Sequence, residues 1–177
     1  MIQTMKKLRF LPLAVLLGFV LVSCNKDSNK EWKQFYGYTV EDIVGTYVYS
    51  NVQDAFDGLM ESEYSHICED AQVTITPYLN SQTSIEFKVN CPGAGFNKSF
   101  TGRPFITEDS FLVKMSLPSG TLYPDYELTA HVYQNDKGDV RLNGFARRIF
   151  YEVIVVDGET HKQVKSVVNY YFDVVKK

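Results

Sequence analysis

From residue 44 onward, apolar and polar side chains alternate. Ile85, Phe87 and Val89 are interleaved with Glu86, Lys88 and Asn90. Phe111, Val113, Met115 and Leu117 alternate with Leu112, Lys114 and Ser116, and Tyr126, Leu128, Ala130 and Val132 with Glu127, Thr129, His131 and Tyr133. A period of two over such runs marks strands with one face in a core. Residues 44–52, the run Val73, Ile75, Pro77 and Tyr78, a short alternation at Val140 and Leu142, and the closing runs 149–156 and 164–175 extend the pattern.

The breaks between these runs carry turn residues. Asn135, Asp136, Lys137, Gly138 and Asp139 form one break, Asp157 and Gly158 another, and Leu79, Asn80, Ser81 and Gln82 a third. Such clusters suit hairpins, while 93–95 and 118–120 suit longer loops. Helical signals are scarce. Thr39 followed by Glu41 and Asp42 reads as an N-cap with acids in the first turn, ended by Gly45. Successive hairpins with no helix between them predict an all-β, antiparallel up-and-down meander after one short helix. A meander leaves two raw edges, and closure into a barrel of about 8 strands removes them. A two-sheet sandwich is the alternative.

The first thirty residues are of another kind. Lys6, Lys7 and Arg9 precede thirteen uncharged residues, Phe10 to Val22. That run is too short to span a bilayer, which takes roughly 20 residues, and it suits the core of a secretory signal. It ends Leu21-Val22-Ser23-Cys24, which resembles the bacterial lipobox. The resemblance implies cleavage before Cys24 and lipid on its thiol, palmitate included. It divides the chain into a signal peptide (1–23), a lipidated polar tether (24–37) and a domain (38–177). Asn25 is not the aspartate that resembles an inner-membrane retention signal in enteric bacteria. The outer membrane is therefore the expected location, with periplasmic and surface faces both open.

Charge and cysteines narrow the function classes. Removing 1–23 takes away three of the 18 basic residues and none of the 21 acidic ones, leaving a net charge of −6. An acidic domain is a poor candidate for nucleic acid. With Cys24 given to lipid, Cys68 and Cys91 remain as an even pair in an oxidising compartment. The expected disulfide would close about 24 residues and contribute roughly 3–4 kcal/mol in the chain-entropy model; two separate thiols are the alternative. His66 and Cys68 are only two local ligands, and His131 and His161 lie far along the chain, so neither a metal nor a cofactor is expected. No Gly-x-Ser-x-Gly, phosphate loop or His-Glu-x-x-His occurs, and the expectation is a protein that is not an enzyme.

At Asp42-Ile43-Val44-Gly45-Thr46-Tyr47 a short helical entry meets Gly-x-aromatic and the first strand of a meander. This resembles the lipocalin or calycin opening, with Tyr47 in place of the tryptophan. Lys165, Lys176 and Lys177 are the late basic residues available to pack on it. With the lipobox and the aromatic run Val168-Asn169-Tyr170-Tyr171-Phe172, the layout is similar to lipocalin-like lipoproteins of gut and oral Bacteroidota. The resemblance implies a barrel with a cup for a small apolar ligand. Tyr47, Phe87, Phe111, Met115, Leu128, His131 and Arg148 are the candidate ligand residues. His131 faces either the cup or solvent. Arg147 and Arg148 give one arginine to each face, and an inward one could hold a carboxylate by two hydrogen bonds. The bulk of Phe87, Phe111, Met115, Leu128, Val132 and Phe172 favours a partly filled interior. The second expectation is a protein-interaction module, such as an envelope protease inhibitor or an accessory subunit of a surface complex. It would use an exposed loop at Phe56, Leu59 and Met60, or at 92–96.

Overall fold

A computed structural model describes residues 31–51, 55–56, 58–104, 112–117 and 123–177. The expected signal peptide, Cys24, residues 25–30 of the polar tether, Phe111 and the loop at 118–120 lie outside the described residues. Glu31–Lys177 forms one compact unit. It opens before residue 38, because β1 (Lys33–Gln34) pairs with β8 (Tyr126–Gln134), and Phe35 N–H donates to the Val132 carbonyl.

Helix α1 (Val40–Ile43), the one α-helix among the described residues, sits where the capping pattern places it. The Asp42 carboxylate accepts from the Thr39 backbone N–H at 2.7 Å and its hydroxyl at 2.8 Å, satisfying donors that a helix start leaves open. The meander follows as β2 (Gly45–Tyr49), β3 (Ser65–Ile67), β4 (Gln72–Pro77), β5 (Ile85–Cys91), β6 (Phe96–Gly102), β7 (Leu112–Leu117), β8, β9 (Val140–Val156) and β10 (Glu159–Lys176). Every pairing is antiparallel except the short one between β3 and β10. Hydrogen bonding runs β8-β9-β10-β2-β4-β5-β6, with β7 and β1 both on the other edge of β8.

The first and last long strands therefore pair, Tyr49 opposite Val174 and Tyr47 opposite Lys176. The seam lies instead between β6 and β7. No ladder joins those two strands among the described residues, so the sheet is open where a closed barrel was expected. Gly102, at φ +143, is the last paired residue of β6, opposite Ile85, and Pro104, with no N–H to donate, follows it.

The core is the common inner face of these strands. Ile85, Phe87, Val89 and Cys91 of β5 are buried, as are Val73 and Ile75 of β4, Phe96 and Phe100 of β6, Leu128, Ala130 and Val132 of β8, and Phe172 and Val174 of β10. Each large apolar side chain buried this way stabilises the fold by about 1.5–3 kcal/mol. Gly144 on β9 permits the closest approach: a Cβ there would lie 2.1 Å from the Thr129 carbonyl oxygen.

The Gly-x-Tyr opening closes the far end of this core. Tyr47 is fully buried and its hydroxyl donates to the Ile43 carbonyl at 2.6 Å. Lys176 donates to the Asp42 carbonyl at 2.9 Å and crosses Gly45 so closely that a Cβ would stand 2.6 Å from its Cε. On the outer face, Asp173 is buried among Arg141, Asn143 and Ser50, and Arg141 lies over the Trp32 and Tyr133 rings.

The alternations at Val140–Leu142 and 149–156 are two ends of one seventeen-residue strand, β9. Its partner β10 has eighteen residues. Past Phe150 and Ser166 the two run on as a two-stranded ribbon, with a register irregularity between Val164 and Ser166 at its root. Asp157 (φ 53) and Gly158 (φ 82) form its tip, the two positive φ values of a tight hairpin turn.

Candidate functional site

The candidate ligand residues separate into three groups. Tyr47, Phe87, Met115 and Leu128 belong to the buried core, Phe87 against Phe172 at 6.4 Å between rings. These side chains pack the interior. His131 points the other way, on the outer face of β8 opposite Asn143 and Leu112, where partial burial lowers its pKa. Arg148 occupies the core-facing register: its Cα partners are Tyr126 and Val168, two residues along from Leu128 and Tyr170. Arg147 takes the outer face, 3.9 Å from Glu127. The two arginines thus divide between the faces.

Above the packed interior, at the end where the ribbon leaves, the core face changes character. Tyr126 is its centre. The Lys98 ammonium lies 4.8 Å from the Tyr126 ring centroid, and the Arg148 guanidinium 5.9 Å from that ring and 4.5 Å from the Phe150 ring. Phe96 tilts against Tyr126 at 6.4 Å and stacks on Tyr170 at 4.1 Å, and His66 stacks on the other side of Tyr170 at 5.3 Å. Burial raises the Tyr170 hydroxyl pKa, and the Arg148 charge pulls against that rise. The layer is supplied by five strands: β3, β6, β8, β9 and β10.

The sequence pattern does not single out Lys98 and places Phe96 only at the end of an exposed loop, because β6 follows directly on the glycine-rich turn at 93–95. The signal was present: Phe96, Lys98 and Phe100 share a period of two, and Lys98 faces Val89 across the sheet. A charged residue flanked by two phenylalanines on a core face marks the edge of a core.

Beside this layer a groove of about 380 Å³ follows the step from sheet to ribbon. It is lined by Asp125, Tyr126, Arg148, Ile149, Phe150, Tyr151 and Lys162. Lys162 lies 4.4 Å from the Tyr151 ring and 5.1 Å from the Tyr123 ring. The Tyr151 hydroxyl donates to the Pro124 carbonyl at 2.9 Å, and Ile149 N–H to the Asp125 carbonyl at 2.8 Å, so the wall is tied down.

Cys68 and Cys91 are bonded, with Cα atoms 5.5 Å apart. The bond fastens the segment after β3 to the end of β5, next to Phe96. Of the candidate partner-facing loop, Met60 is 83% exposed, while Phe56 and Leu59 are half-buried. In the second candidate loop, 92–96, Phe96 is buried in the aromatic layer. A second groove, of about 670 Å³, is lined by Glu61, His66, Ile67, Glu69, Asp70, Gly93 and Ala94. Among the described residues no group of three or more His, Cys, Asp or Glu is placed to hold a metal ion. No protein-family model, curated protein or solved structure matches the chain.

Proposed function

We propose that this protein is an outer-membrane lipoprotein, anchored through Cys24, that works by binding and not by catalysis. Its ligand is small, has an apolar body, and sits at the mouth of a packed barrel instead of within it. The observation that carries this is the aromatic layer of Phe96, Tyr126, Tyr170 and Phe150, open to a groove of ligand size. The Gly45–Tyr47–Lys176 arrangement supports a lipocalin-like barrel. Anchoring is tested by palmitate labelling in cells: label should enter the native chain and be absent from Cys24→Ala. Ligand binding is tested by native mass spectrometry of Glu31–Lys177 purified from an oxidising compartment. Extra mass that vanishes on denaturation supports the proposal. A bare mass together with no shift on adding apolar candidates rejects it.

A second reading is favoured by one other observation. Val153 and Val155 are 66% and 69% exposed, and with Val164 they share one face of the ribbon. Exposed valines on a two-stranded ribbon, beside Thr160 and Lys162 on the same face, suit a protein partner. A photo-crosslinker at Val153 in intact cells should then give one discrete adduct, and a crosslinker at Thr101 none.

A further inference from the structure

Three cations surround the mouth and its groove: Lys98, Arg148 and Lys162. None of them forms an ion pair among the described residues, and Asp125 is the single carboxylate lining the groove. Lys98 and Arg148 are the informative pair. Both stand at core-facing positions of their strands, where an apolar side chain is the rule, and both approach the same Tyr126 ring. Lys98 is half-buried and Arg148 exposed, so both lie against ring faces and remain reachable from solvent. Arg141 also lies over rings, yet it has the Asp173 carboxylate. A cation held over a ring face is positioned by the ring and keeps its outward N–H donors for an anion.

We propose that these cations are placed to receive an anionic group of the ligand. Building on the mouth-site proposal above, the ligand is an anionic amphiphile. Its carboxylate, or an oxyanion of like geometry, sits beside Tyr126 between Arg148 and Lys98. Arg148 supplies two parallel N–H donors and Lys98 a point charge. The apolar body lies along Phe150 and Tyr151 in the groove at the ribbon root. Lys162, held over Tyr151 and Tyr123, forms the opposite wall.

The test uses Glu31–Lys177, which contains the whole sheet, the disulfide and the core. Octanoate and 1-octanol have the same chain and differ in head-group charge. Each is titrated while amide shifts are followed by NMR. Octanoate should move the amides of Lys98, Tyr126 and Arg148, and bind about tenfold or more tighter than octanol. Arg148→Gln and Lys98→Met should each remove most of that preference and leave octanol binding unchanged. Arg148→Lys should restore part of it. Thermal melts of the variants should overlay the native curve; if one does not, Arg148→Lys and a salt titration of the native domain provide the readout. Equal binding of octanoate and octanol at these amides would overturn the anionic head group and leave the mouth site standing. No shift with either compound would overturn both. A preference lost in Lys162→Met but kept in Lys98→Met would overturn the placement of the head group.

Discussion

Strands β9 and β10 each live in two environments. From Val140 to Arg148, β9 lies between β8 and β10, and its inward side chains Leu142, Gly144 and Ala146 are fully buried. From Phe150 to Val156 the strand keeps only β10, and its valines are turned to solvent. The buried half is the less apolar in sequence, with Arg141, Asn143, Gly144, Arg147 and Arg148, whereas 149–156 is almost wholly β-branched and aromatic. What sets burial is the number of neighbouring strands. Sequence pattern reports that a residue wants a strand; the surrounding sheet decides whether that strand has a core to face.

The difference can be broken or sharpened by substitution, read by chemical denaturation. The largest losses belong to the sheet half. Phe172→Ala should cost about 3–5 kcal/mol, through lost burial and the cavity left beside Phe87. Asp173→Ala should cost about as much, because Arg141 would remain sheltered without its carboxylate. Replacing Cys68 and Cys91 together by alanine should cost about 2–4 kcal/mol, and reductant should reproduce the loss in the native protein. Gly144→Ala should cost about 1–3 kcal/mol by forcing β8 away from β9. At the small end, Val153→Thr with Val155→Thr should change stability by about 0.5 kcal/mol or less. A loss of several kcal/mol from that pair would show that the ribbon packs in solution, and the contrast between the halves would fall.

Much of the sheet was legible in the alternation. Helix α1, β2, β4, β5, β7 and β8 lie where period two and turn residues place them, and Asn135–Asp139 and Asp157–Gly158 are tight turns. Strand β6 was hidden because its first residue follows Gly95, so the loop signal masked the Phe96, Lys98, Phe100 alternation. The two segments of β9 were read apart because Gly144 weakens a strand pattern; in the fold it is the position where two backbones come closest. The candidate site was legible only in part. Arg148 could be placed inward from its neighbour Arg147, but Lys98 and Tyr170 meet Tyr126 through pairings that no local pattern encodes. Phe87, Met115, Leu128, Val132 and Phe172 stand inward as the alternation places them, and what an inward position encloses is set by how side-chain volumes add up across eight strands.

The pairing of β2 with β10 bears on when the molecule can fold. Tyr49 meets Val174 across almost the whole length of the domain. A chain emerging N-terminus first offers β2 no long partner on that side until its final residues arrive. Contacts so distant in sequence slow folding, because a large loop must close before they stabilise anything. Until then β2 presents an unpaired edge, open to misassociation. The fold is therefore suited to a polypeptide that is released whole before it assembles. A chain stopped short of Val174 should persist as an incompletely assembled, protease-sensitive species.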